Sequence, residues 1–334
     1  MQNFKMRRVA AFLLALVLCA LSWVQAAPAQ RELVPLGITV GMKIEPGGLL
    51  ISKLDVVSTL GGSVCPARQA GLAAGDIIVS AGGKEVESAS ELEAQLKNSG
   101  GELSLGILRH GTRFETVINP VKDEAGQYKM GLVLKESVEG IGTLTYYDPQ
   151  TGNFAGLGHG IVDAGVLVPA KDGIIRKAKI NAVQKGKKGA AGHLEGTLLA
   201  GNELGKITAN LPQGVFGTGL ESSVFAGIKP VPIAVKDEVS LGSAQLLASP
   251  AGEGVQAYSI EITRIDKSAD AAKQIELKVT DPALSDLTGG IVQGMSGSVI
   301  CQNGKIVGAV THVLVNDPTR GYGIFIGNML EAAE

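Results

Sequence analysis

From about residue 125 onward the chain is a succession of short apolar runs broken by glycine-bearing turns, and this pattern narrows the folds open to it. "GTLLAGNELGKITAN", "GVFGTGLES", "PVPIAVKDEVSLGSAQLLAS", "VQAYSIEITRID" and "AKQIELKVTD" follow one another with hardly any helical periodicity. Glycine, of which the chain has 46, supplies the positive φ of tight turns at little steric cost. Short β-branched runs between such turns read as strands. "CQNGKI" is the strongest turn signal, because Asn303-Gly304 suits both positive-φ positions of a type I′ hairpin. Some 200 residues of this kind close into one or two small barrels more readily than they spread into an open sheet. The fold class is mainly β.

Residues 34–122 read differently. "GLLISKLDVVSTLG" is strand-like, and a short helix is expected around Pro66 to Ala70. A Gly-Asp turn, the strand "DIIVSA" and a Gly-Gly turn come next. "SASELEAQLKNSG" predicts a helix capped by Ser88 or Ser90, with Leu92 and Leu96 forming an i,i+4 apolar pair. Two strands follow around "RHG", which leaves His110 as an exposed turn residue. The stretch "AGLAAGDIIVSAGGKEV" in this order resembles a PDZ domain. That resemblance implies capture of a peptide by strand addition at an open edge. The implied peptide-binding residues are Gly47 and Gly48, for the tight loop, and Leu49, Leu50 and Ile51, for the edge.

The first thirty residues stand apart. "MQNFKMRR" is basic, "VAAFLLALVLCALSWV" is apolar, and "QAAPAQ" offers small residues for a signal peptidase. Residues 1–30 are therefore expected to be a signal peptide or an N-terminal membrane anchor, with the remainder exported. The formal charge is −2, and the basic stretch "KDGIIRKAKINAVQKGKKGA" reads as a solvated face. No basic stripe is interleaved with aromatics, so nucleic acid is not expected as a partner. Cys19, Cys65 and Cys301 are too dispersed for a disulfide framework, and no metal-ligand spacing or cofactor motif is present.

"GMSGS" places Ser296 and Ser298 among glycines, which suits either a plain turn or a nucleophile loop. A serine hydroxyl needs a base, ordinarily an imidazole oriented by a carboxylate. His159, in "GLGHGI", has glycines on both sides that let the backbone close around the ring. His193 follows the basic stretch and is expected to be exposed, while His312, on a strand, could line a substrate cleft but reads better as a partly buried core residue. Ser296 is favoured over Ser298 because Gly294, two residues earlier, permits the amides of Gly294 and Ser296 to converge on an oxyanion. For the carboxylate, Asp281 at the strand end "VTDP" and Asp163 both remain open, with Asp266 and Asp286 weaker.

"YYDPQTGNFAGLGHGI" and "KVTDPALSDLTGGIVQGMSGSVICQNGKIVGAVTHVLVNDPTRGYGIFI", behind a PDZ-like unit, resemble the stage IV sporulation protein B (SpoIVB) serine peptidases of endospore-forming bacteria. More distantly, "GMSGSVICQNGKIVG" resembles the nucleophile segment of chymotrypsin-like proteases. The resemblance implies a PDZ-like domain at 34–122 and a double β-barrel peptidase domain at 125–334. It also implies the triad His159, Asp281 and Ser296, and so selects Asp281. Val299 stands where that family usually has proline.

The implied role is that of an exported, self-cleaving endopeptidase in the forespore intermembrane space. Its substrate would be a membrane-associated regulator of an intramembrane protease, and its other partner a second copy of itself. A non-catalytic PDZ-containing envelope protein is the alternative. An esterase elbow and an H-E-x-x-H metallopeptidase motif are both missing from the sequence.

Overall fold

The structure is a computed structural model that describes residues 31–334; the proposed signal or anchor at 1–30 lies outside the described residues. Strand β1 (Glu32–Glu45) is apolar on both faces and almost wholly buried. A turn through Gly47, at φ 79°, leads from it into β2 (Leu49–Leu54). The unit that follows contains α1 (Pro66–Gln69), β3 (Ile77–Ala81), α2 (Ala89–Asn98), β4 (Leu103–Arg109), β5 (Thr112–Ile118) and β6 (Leu132–Lys135). Its sheet runs β6-β2-β3-β4-β5.

Helix α2 starts as its sequence dictates. Ser88 Oγ accepts the Glu91 N–H, and the Glu91 carboxylate in turn accepts the Ser88 N–H. Leu92 and Leu96 are buried against the sheet. Asp76, 1% exposed, is held by two hydrogen bonds from Arg109, at 2.6 and 2.7 Å, which tie the Gly-Asp turn to the end of β4.

The chain then returns to β1. Strands β7 (Val138–Tyr147) and β8 (Asn153–Gly156) and the small hairpin β9 (Val162–Asp163) and β10 (Val166–Leu167) come first. They are followed by β11 (Asp172–Gln184), β12 (His193–Leu211) and β13 (Gly214–Thr218). Pairings run β7-β8-β13-β12-β11-β1, and β1 pairs again with β7, which closes a six-stranded ring. The expected boundary at residue 34 is therefore corrected. β1 is a stave of the first barrel, and the PDZ-like unit is inserted between β1 and β7, whose facing ends pair at Ile44 and Val138.

The second barrel is built from β14 (Gly242–Ala248), β15 (Gln256–Ile265), β16 (Ile275–Val279), β17 (Val299–Gln302), β18 (Lys305–Val313) and β19 (Arg320–Phe325). It closes in the order β14-β15-β16-β19-β18-β17. Asn303 and Gly304, at φ 53° and 74°, make the β17–β18 turn that the sequence announced. Helix α3 (Pro282–Thr288) lies between β16 and β17, and α4 (Ile326–Ala333) ends the chain. Both are short and were not anticipated. Among the described residues no helix is long and apolar enough to cross a membrane.

The expected peptide edge at Leu49–Ile51 is also corrected. β2 is paired on one side with β3 and on the other with β6, and Leu49, Leu50 and Ile51 are buried to within 1%. Gly48 instead serves close packing, since a Cβ there would lie 2.5 Å from the Ile78 carbonyl oxygen. The sheet has two edges, β5 and, beside β2, β6. β6 borders a cavity of about 830 Å³ lined by Glu93, Leu96 and Lys97 of α2 and by Met130, Gly131, Leu132 and Leu134.

Candidate active site

His159 leaves the first barrel just after β8. Leu157 and Gly158 both adopt φ 67°, which turns the chain sharply. A Cβ on Gly158 would meet Ile324 and Thr311 of the second barrel at 2.9 and 3.1 Å. The missing side chain thus lets this loop press against the second barrel. One residue beyond the histidine, Gly160 leaves room for Leu167, whose Cδ1 would lie 2.2 Å from a Cβ.

The loop is fixed from behind by Asn210, 6% exposed near the end of β12. Its Oδ1 accepts the Ile161 N–H, and its Nδ2 donates to the carbonyls of Ile161 and Val168, all at 2.8 Å. Sequence reasoning missed Asn210, and nothing local distinguishes it from any other polar residue of a strand.

His159 Nδ1 lies 2.9 Å from the Gly160 carbonyl oxygen. A carbonyl can only accept, so Nδ1 carries the proton and Nε2 keeps its lone pair. Burial pushes the imidazole below the ordinary histidine range, and the Gly160 carbonyl acts in the opposite direction. The result is a neutral ring in the tautomer that a general base requires.

Ser296 shares with His159 a cleft of about 850 Å³, which Gly294, Thr311 and His312 also line. Its hydroxyl donates to the Thr311 carbonyl at 2.7 Å. β7 braces the loop from the first barrel, with Thr143 Oγ1 donating to the Gly294 carbonyl and Thr145 Oγ1 to that of Gly297, both at 2.8 Å. The Gln293 carbonyl accepts the Leu194 N–H and the Met295 carbonyl accepts the Ser298 N–H, both at 2.9 Å. Across trans peptides these carbonyls point the Gly294 and Ser296 N–H groups the other way. Neither N–H has an acceptor among the described residues. These two amides are those of the residues that the glycine spacing singled out. Ser298 is 0% exposed with its Oγ unpartnered, so it faces the interior and not the cleft.

The structure does not bring Asp281 to the imidazole. Its Oδ1 accepts the N–H groups of Ala283 and Leu284, at 2.9 and 3.2 Å, and its Oδ2 accepts the Ser259 N–H at 3.1 Å. Those bonds, the one from Ser259 first, hold its carboxyl below the usual range. The physical reason lies in the Asp-Pro pair. Pro282 does keep Asp281 extended, but it also opens α3, and the carboxylate is used as that helix's N-cap.

Asp163 is bound by Lys135 of β6, and Asp266 by Arg264 and Ser268. The carboxylates that do line the cleft are Glu139 and Asp270. His312 is a further correction: it is exposed at the cleft wall, its ring centroid 5.0 Å from that of His159. Partial desolvation by the cleft wall is the first cause of its lowered pKa, with His159 and Lys273 lowering it further and Asp270 raising it. His193 is exposed and faces Glu195 at 3.4 Å. His110 takes φ 48° in its turn. Cys65 and Cys301 are free thiols, and burial pushes Cys301 up to about 12.

The family model described as SpoIVB peptidase S55 matches residues 126–330, and a PDZ domain model matches 61–109. A search of curated proteins gave no match. Among solved structures, the chain is similar to the Rv3671c protease of M. tuberculosis in its active form, at 13% identity and TM-score 0.33. That match covers 58% of this chain and 72% of that one. It is also similar to the inactive form, at 12% identity and TM-score 0.30, covering 57% and 81%.

Proposed function

The chain belongs to the SpoIVB peptidase S55 family of serine peptidases, and from that premise we propose an endopeptidase that works through a Ser296–His159 pair. The observation that carries this is one cleft holding His159 in its basic tautomer, Ser296, and the two unpartnered amides of Gly294 and Ser296.

The proposed steps are these. The Ser296 hydroxyl exchanges its bond to the Thr311 carbonyl for one to His159 Nε2, and Oγ attacks the scissile carbonyl as its proton passes to the ring. The Gly294 and Ser296 N–H groups take the oxyanion, a contribution of about 3 kcal/mol per donor in comparable sites. The imidazolium then protonates the leaving amine, and water repeats the sequence to release the acyl group. The Gly160 carbonyl orients the ring throughout, in the place where a carboxylate would ordinarily stand.

The PDZ-like unit supplies the substrate. An extended segment adds to the open edge of β6, in the cavity shared with α2. The biological reading is an exported enzyme that cleaves itself and a membrane-associated regulator of an intramembrane protease. It rests on the family and on the apolar N-terminal segment.

An activated fluorophosphonate tests the chemistry. It should label the parent and a Ser298→Ala variant, and leave Ser296→Ala unlabelled, folded and inactive. Cleavage by Ser296→Ala at the parental rate would overturn the assignment.

A further inference from the structure

We infer that the β11–β12 hairpin selects substrates carrying an acidic segment beside the cleaved bond, a proposal that rests on the serine-peptidase reading. The turn that joins these strands leaves the first barrel and is stitched to the second. The Gly186 N–H donates to the Thr288 carbonyl at 2.8 Å, and the Gly189 N–H to that of Val315 at 2.9 Å. The Gly192 carbonyl accepts the Gln293 N–H at 2.8 Å. Gln293 directly precedes the oxyanion glycine, and Ala191, Gln293 and Val315 all line the cleft. The turn is therefore a wall of the active site.

That wall is cationic. Lys185, Lys187 and Lys188 are exposed on the turn, and Lys177 and Lys179 occupy alternate exposed positions of β11 leading up to it. None of the five has an ion-pair partner among the described residues. On the hairpin itself, Glu195 is engaged with His193 and Gln184, and Glu203 with Arg176. Unpaired ammonium groups on a stripe that ends at the oxyanion loop favour an acidic polypeptide lying along the hairpin. Glu139 and Asp270 inside the cleft disfavour acid at the reacting centre. The acidic residues of the substrate are thus expected outside the cleft, alongside the lysines. An anionic lipid surface would meet the same charges. The tie to Gln293 favours a polypeptide that is continuous with the scissile bond.

The test compares peptides with one cleaved core and flanks of Asp/Glu, Gln or Lys, using the full chain. Its partner is the variant with Lys177, Lys179, Lys185, Lys187 and Lys188 all changed to Gln. The parent should favour the acidic flank over the neutral one by about tenfold in kcat/KM at low salt, shrinking at about 0.5 M salt. The variant should lose that ratio, with circular dichroism confirming its fold. Equal rates on acidic and neutral flanks in the parent, or an unchanged ratio in the variant, would overturn the proposal. So would loss of binding to phosphatidylserine vesicles in the variant with the peptide ratio intact, which would make the stripe a lipid surface. Fluorophosphonate labelling of the parent separates the two ideas. If it fails, the serine-peptidase reading falls first and takes this proposal with it.

Discussion

Replacing Asp281 separates two physical roles for one carboxylate. As an N-cap it receives two amides of α3, and through its second oxygen the Ser259 N–H. Asp281→Ala removes all three bonds. Loss of an N-cap costs about 0.5–2 kcal/mol, which lowers Tm by roughly 1–8 °C in a domain of this size. Asp281→Asn keeps an oxygen for the helix but turns an amide NH₂ toward the Ser259 N–H. It should therefore lose one net hydrogen bond, about 1 kcal/mol.

Neither change touches the cleft, so turnover should stay within about threefold of the parent, or less than about 1 kcal/mol in the barrier. If Asp281 oriented His159, as the family resemblance implied, Asp281→Asn would cost about 10⁴ in turnover at unchanged stability. The assay is turnover of both variants on one peptide and one activated ester at neutral pH, beside thermal melts. A folded Asp281→Asn that melts like the parent and has lost about four orders of magnitude in turnover would refute the capping argument.

Two further outcomes are expected. Burial depresses the folded-state pKa of His159 from its ordinary value of 6.5, so the acid limb of kcat/KM should lie below that value. By the same sign, the stability this histidine confers is present above about 6.5 and lost as pH falls through its lower folded value. A pH–rate profile and melts across that window check both, and an acid limb above about 6.5 would contradict them. Joining Glu45 to Ser137 through an Asn-Gly turn should excise the PDZ-like unit and leave both barrels folded, because Ile44 and Val138 already pair. Ester hydrolysis should survive while cleavage of a protein substrate collapses. Deleting 34–122 would instead remove most of β1 and should unfold the first barrel, which circular dichroism would show.

Strands, turns and the serine loop were legible because they are written locally: Asn303-Gly304 in its hairpin, Ser88 and Glu91 at a helix start, Gly294 two residues before Ser296. What was not legible was non-local. β1 is apolar on both faces, and nothing in it announces partners more than ninety residues away in β7 and β11. The edge read at Leu49–Ile51 failed for the same reason, since β6 covers it from eighty residues on. The Asp-Pro pair at 281–282 ends a strand and begins a helix, and the sequence reading used only the first meaning. His312 alternates like any strand residue. Its exposure arises because β17 pairs with β18 only as far as Ala309, which leaves the end of β18 open to the cleft.

The orienting group of His159 shapes how the site can distribute its work. A carbonyl at Nδ1 selects the same tautomer as a carboxylate would, though through a weaker neutral hydrogen bond, and it offers a dipole in place of a full charge to the imidazolium that would form during acylation. Burial of the ring disfavours that charged form further. With His159 as the proposed base, the resting ring is held neutral, and the imidazolium it would form is only modestly stabilised. More of the transition-state stabilisation then has to come from the oxyanion side. There, peptides locked by Leu194 and Ser298, and carbonyls held by Thr143 and Thr145, keep the two free amides in place before substrate arrives. Those braces come largely from the first barrel and its β11–β12 hairpin, while the serine belongs to the second. The junction of the two barrels is what assembles the site.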